Sequence, residues 1–186
     1  SKGYPSPEDI EKAIRNESIF FPRTSLVCME NTHMVMGGIA VKPGQIEAVR
    51  DVAEAYNVRL HLDGARIFNA AVALGVDVKE IAKHADSVTF CLTKGLSCPL
   101  GSVIVGDGDF IERARRFRLI VGGNMRQAGI IAAPGIVALE KMVDRLKDDH
   151  ENARRLAEGL AKIDGLKIDL SRVQTNIVKV DMDALK

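Results

Sequence analysis

The stretch RLHLDGARIFNAAVALG, residues 59–75, changes its period in the middle. Arg59 to Asp63 alternates polar and apolar side chains, the pattern of a strand with one face toward a core. Gly64 interrupts it, and Ala65 to Leu74 then groups apolar residues at helical spacing, with Gly75 where a helix ends. A strand that turns directly into a helix is the repeating unit of a layered α/β sheet. Working outward, the unit recurs. SLVCM (Ser25 to Met29) reads as a short buried strand, and Gln45 to Tyr56 carries Ile46, Val49, Val52, Ala53 and Tyr56 as a helical stripe. Further on come a short helix near Val78 to His84, a strand SVTFCL (Ser87 to Leu92), a loop broken by Gly and Pro, and a strand SVIV (Ser102 to Val105). Upstream, Ser6-Pro7-Glu8-Asp9 has the cap, the proline and the acidic pair of a helix start.

Past the fourth strand the pattern becomes helical, over Phe110 to Ile120, Gln127 to Val143 and Arg145 to Ile163. Two strands, Leu166 to Asp169 and Asn176 to Val180, are expected to follow. The strand pattern restarts only after the third of those helices. The expected division is therefore residues 1–144 as part of a large α/β domain and 145–186 as a linking helix with the beginning of a small C-terminal α+β domain.

Composition narrows the function classes. With 46% hydrophobic and 27% charged residues among 186, the chain carries enough apolar material for a core, which excludes a disordered protein. A formal charge of +1 argues against electrostatic capture of nucleic acid. The longest apolar run, Gly129 to Leu139, is too short for a bilayer and contains Pro134. Cys28, Cys91 and Cys98 form no CxxC pair, so neither a disulfide scaffold nor a zinc site is expected. The first residues have no apolar signal region and no Arg-rich transit pattern, and a cytoplasmic location is expected.

Ligands of open α/β sheets bind beyond the carboxyl ends of the strands. Three strands end there in reactive residues: the first runs into Glu30-Asn31-Thr32-His33, the second ends at Asp63 and turns through Gly64-Ala65 to Arg66, and the third runs into Thr93-Lys94-Gly95. If they share a sheet, a His, an Asp and a Lys meet at one edge. A Lys desolvated at the mouth of an apolar strand becomes an amine nucleophile toward a carbonyl, and a partly buried Asp asks for a cation. Pyridoxal phosphate answers both, with an aldehyde for the Lys and a ring nitrogen for the Asp. The plainer readings stand beside this one: a strand-end Asp forms turns, and a Lys in a Gly loop is solvated.

HLDGARIFNA (His61 to Ala70), CLTKGL (Cys91 to Leu96) and GGNMRQAG (Gly122 to Gly129) resemble, in register, the low-specificity threonine aldolases, and so do Glu30 to His33 and Asp149 to Ala153. The resemblance runs from about Thr24 to the end. It implies a fold type I, transferase-like large domain with a mainly parallel sheet flanked by helices, pyridoxal phosphate as cofactor, and a homodimer or homotetramer. It implies that Lys94 binds the cofactor covalently, Asp63 pairs with the pyridine nitrogen, and Arg66 lies near the cofactor's phenolic oxygen or the substrate. It places His33 beside the substrate hydroxyl and Arg126 near the phosphate. Departures are Met34, Leu119 and Asn124 at positions where Asn, Lys and Gly are common, and Ser97-Cys98 in place of Gly-Ala or Gly-Thr. Family members also carry an N-terminal phosphate-binding Gly-Thr turn and a C-terminal Arg for the substrate carboxylate, so the chain reads as truncated at both ends.

The resulting expectation is a pyridoxal-phosphate lyase that cleaves the β-hydroxy amino acids L-threonine or L-allo-threonine to glycine and acetaldehyde. The rivals are a β-eliminating lyase or another 3-hydroxy-amino-acid aldolase of the same fold, and a non-catalytic scaffold. No GxGxxG follows the first strand, which disfavours a dinucleotide-binding dehydrogenase. Of the other candidates, His61 is read as a packed residue, His84 and His150 as solvated on their helices, and Arg113, Arg115, Arg116 and Arg118 as a solvated helix face.

Overall fold

Four strands pair in chain order, β1 (Leu26–Glu30), β2 (Arg59–Asp63), β3 (Ser87–Cys91) and β4 (Ser102–Gly106), in a computed structural model that describes residues 3–182. The first three are parallel, each return being made by helix: α2 (Pro43–Ala55) between β1 and β2, then α3 (Ile67–Leu74) and α4 (Val78–Ala82) between β2 and β3. The segment from β3 to β4 contains no helix to carry the chain back along the sheet, so β4 runs antiparallel to β3. α1 (Pro7–Ala13) precedes the sheet. α5 (Gly108–Ile120), α6 (Gly129–Lys141) and α7 (Leu146–Leu160) follow it.

The period-2 pattern of RLHLD decides which face is covered. Leu60 and Leu62 are fully buried, together with Val27, Met29 and Val88 from the neighbouring strands, against Ile46 and Val49 of α2, Ile67 and Ala70 of α3 and Ile81 of α4. On the opposite face Leu26, Cys28, Asp63 and Ile104 are exposed among the described residues. Ends are set by local chemistry. Ser6 and Asp9 form a capping box on α1, and the Asp107 carboxylate accepts from the Phe110 N–H at 2.7 Å to start α5.

The elements up to α7 fall where the periodicity puts them, within a residue or two at most ends. The last two do not. Residues 166–169 and 176–180 form no strands: a single antiparallel bridge joins Lys167 to Asp181, and a 3₁₀ turn occupies Leu170–Arg172. A strand needs a neighbour along its length, and here residues 172–175 instead direct side chains into the loop after β1.

Candidate functional site

Sheet register sets the site. Glu30 pairs with Asp63, and Asp63 with Thr89, so the carboxyl ends of β1 and β2 lie level and β3 runs past them to Cys91. From there the Asn31 N–H bonds to the Asp63 carbonyl, and the Gly64 N–H to the Thr89 carbonyl, both at 2.8 Å, which carries each strand into its loop. Gly64 is required at this crossing. A Cβ on it would stand 2.9 Å from the Thr89 carbonyl oxygen and 2.9 Å from Ile67 Cβ.

Asp63 is exposed, and its Oδ1 accepts from the Ala65 N–H at 3.0 Å. The turn-forming reading is therefore correct for one oxygen, while no hydrogen bond engages the other among the described residues. Lys94 sits in the loop between β3 and β4. That loop is pinned by Leu92 N–H to Gly101 O (3.1 Å), Cys98 N–H to Leu92 O (2.9 Å) and Ser97 N–H to Lys94 O (2.9 Å), with Leu92, Leu96 and Cys98 buried beneath it. Lys94 itself is exposed, so the described residues do not supply the desolvation expected of a strand-mouth lysine. Ser97 holds φ +61°, in the left-handed region, which gives a physical reason for glycine at this position in the related motif.

His33 lies in a loop closed at its base by Asn31. Asn31 is fully buried, donates to Val41 O and accepts from the Val41 N–H, both at 3.0 Å. The His33 N–H bonds to Ile39 O at 3.1 Å, and the Gly38 N–H to His33 O at 2.9 Å. From the far end of the chain, Arg172 donates to Met36 O at 3.3 Å, Gln174 Oε1 accepts from the Ala40 N–H at 3.1 Å, and the buried Thr175 hydroxyl donates to Gly38 O at 2.8 Å. Glu30 steadies the loop by accepting from the Met34 N–H at 3.1 Å; its second oxygen is 3.8 Å from His33 Nδ1, beyond hydrogen-bond range.

Thr32 Oγ1, His33 Nδ1 and Arg66 Nε are buried without a hydrogen-bond partner. All three follow directly on β1 or β2 at the level edge. Buried polar atoms without partners carry a desolvation cost that a polar ligand would offset, and the fourth such atom among the described residues is Asn176 Oδ1. Pyridoxal phosphate fits this donor set: a carboxylate with a free oxygen, a primary amine on a fixed turn, and a buried guanidinium nitrogen for an anionic group. Arg126 stands apart, exposed in the loop between α5 and α6, with no hydrogen bond or ion pair to Asp63, Arg66, Lys94 or His33.

Sequence reasoning did not find the residues that hold these loops. Asn31 and Thr175 are uncharged, and the signal that exposes them is full burial of a polar side chain. His150 corrects an expectation. It is half-buried on α7 and lies 3.0 Å from Asn69 of α3, where its helix had suggested solvent. His61 is half-buried on the open face, bonded through Nδ1 to Ser87 Oγ at 2.8 Å. The arginines at 113, 115, 116 and 118 are exposed, as expected.

The chain is similar to low-specificity L-threonine aldolase 1 of Arabidopsis thaliana, 47% identical over 178 residues, covering 95% of this chain and 50% of that protein. It is also similar to the low specificity L-threonine aldolase of Escherichia coli (strain K12), 43% identical over 173 residues, covering 93% and 50%. The solved threonine aldolase of Leishmania major has the same fold, with a TM-score of 0.75 at 19% identity over 93% of this chain and 51% of that one. The chain thus spans about half the length of the curated relatives it matches. The sequence profile of the beta-eliminating lyases matches residues 1–183, and the chain belongs to the beta-eliminating lyase family.

Proposed function

We propose that this protein is a pyridoxal-phosphate-dependent carbon–carbon lyase that cleaves L-threonine or L-allo-threonine to glycine and acetaldehyde. One observation supports the reading: the level ends of β1 and β2 and the loops that leave them carry Asp63 and the unpartnered polar atoms of Thr32, His33 and Arg66, and Lys94 follows the adjoining strand β3. Pyridoxal phosphate, when bound, supplies an electron sink for the bond broken between Cα and Cβ. Lys94 holds the cofactor covalently through its amine. Asp63, as a carboxylate, keeps a proton on the pyridine nitrogen. Arg66 donates to an anionic oxygen of cofactor or substrate, and Arg126 to the phosphate. His33 takes the β-hydroxyl proton, directly or through one water. Loss of that proton turns the C–O bond into the carbonyl of acetaldehyde, and a proton returned to Cα completes glycine.

The finer attributes belong to the same proposal: residues 1–144 in the cofactor-binding domain, 145–186 as the linking helix and start of a smaller one, a homodimer or homotetramer, and a cytoplasmic role in threonine breakdown and glycine formation. Every strand of the sheet precedes α5, which supports the division; no helix among the described residues is long and apolar enough to cross a membrane. The test is acetaldehyde release from both substrates by the full chain with pyridoxal phosphate, with Lys94→Ala as control. Release that the substitution abolishes is the expected result. Ammonia and a keto acid in its place transfer the reading to β-elimination, and no turnover of any 3-hydroxy amino acid rejects it.

A further inference from the structure

One buried contact lies under the proposed site and takes no part in the chemistry above. Asn69, on α3 three residues after Arg66, is 2% exposed. Its Nδ2 lies 3.0 Å from Nε2 of His150 on α7. Burial holds the His150 imidazole below its ordinary pKa, against the opposing charge of Asp149, and in the neutral ring Nε2 accepts the Asn69 N–H. One turn before His150, Leu146 is 1% exposed. Leu146 and Asn69 close together on the residue after Lys94: a Cβ on Gly95 would stand 2.7 Å from Leu146 Cδ2 and 2.9 Å from Asn69 Oδ1. The backbone of the Lys94 turn therefore rests directly on the α3–α7 junction, with no side chain between.

We infer that Asn69 and His150 are positioning residues for the cofactor-binding lysine: their hydrogen bond fixes α7 against α3, and α7 in turn seats the Lys94–Gly95 turn. This rests on the reading of Lys94 as the attachment residue. An apolar contact between two helices tolerates sliding along the groove, whereas a buried hydrogen bond is satisfied only at one distance and angle. The bond so placed sets two groups at once, because α3 begins immediately after Arg66 and α7 backs the turn of Lys94. Gly95 lets the turn sit this close, and a side chain there would push the lysine outward.

The experiment measures covalent capture and needs no turnover. The full chain, freed of cofactor, is mixed with pyridoxal phosphate, portions are quenched with borohydride at set times, and the reduced adduct on the Lys94 peptide is measured by mass. Lys94→Ala, Asn69→Leu, His150→Leu and His150→Gln are run beside the unsubstituted protein. Capture at Lys94 is expected to slow about tenfold in Asn69→Leu and His150→Leu, and to return to within about twofold in His150→Gln, whose amide oxygen accepts from Asn69. Where Asn69→Leu does not fold, the two His150 variants decide. Capture in His150→Leu as fast as in the unsubstituted protein overturns the inference, as does a His150→Gln no faster than His150→Leu. A protein that forms no adduct at Lys94 at all overturns the reading of Lys94, and this inference with it.

Discussion

At the start of β2, Arg59 Nη1 lies 2.8 Å from Asp86 Oδ1, while Asp86 Oδ2 takes Arg50 at 2.6 Å and the Leu60 N–H at 2.8 Å. Four residues along the same strand, Asp63 is held by one turn hydrogen bond, and the loops that leave β1 and β2 at this end carry the unpartnered atoms of Thr32, His33 and Arg66. The first end spends its polar groups on one another, so removing one of them costs stability. The second leaves them free, so removing one costs binding or catalysis. Both ends sit on the same buried leucines, and the difference lies in whether a partner side chain is within reach.

The largest expected effect breaks the comparison at the open end. Asp63→Asn keeps the acceptor for the Ala65 N–H but loses the charge, and turnover should fall about a hundredfold or more with an unchanged thermal midpoint. A drop in midpoint with normal turnover would assign Asp63 a structural role like that of Asp86. The next tests the closed end. Asp86→Ala should lower unfolding stability by about 2 kcal/mol in denaturant titration, with cofactor capture at Lys94 retained.

The closed end also has a pH signature. Burial alone raises the Asp86 pKa, but the Leu60 N–H and the guanidiniums of Arg59 and Arg50 outweigh it and hold the carboxyl below its usual value. A group depressed in the folded state stabilises fully above its unfolded pKa, and that contribution is lost as pH falls toward the lower folded value. Acid unfolding of the unsubstituted protein should therefore be steeper in this window than that of Asp86→Ala. The smallest effect sharpens the picture of the lysine turn. Ser97→Gly relieves a left-handed residue and should raise stability by about 0.5 kcal/mol, with Lys94 capture unaltered.

Much of this was legible in residue order. Asp63 declares itself because a period-2 run ends there next to a glycine, and Lys94 and His33 because they follow strand-like runs on either side of it. Asn31, Asn69 and Thr175 do not, since their partners lie 10, 81 and 137 residues away and nothing local requires a polar residue there. The same distance explains the two strands that do not form near the C-terminus. Residues 166–169 and 176–180 have strand-like composition, but composition cannot say whether a neighbouring strand is present to take their hydrogen bonds.

The sequence by itself determined the alternation of strand and helix, the covered face of the sheet and the loops that carry His33, Asp63, Arg66 and Lys94, because periodicity and glycine act within one turn or one strand. Only the tertiary structure decided that the ends of β1 and β2 stand level, that Thr32 Oγ1, His33 Nδ1 and Arg66 Nε are left without hydrogen-bond partners, that Lys94 stays exposed, and that α7 brings His150 against Asn69 of α3. Those outcomes depend on register and on contacts between distant segments. Such contacts are made only when whole elements pack, and no local run of residues encodes them.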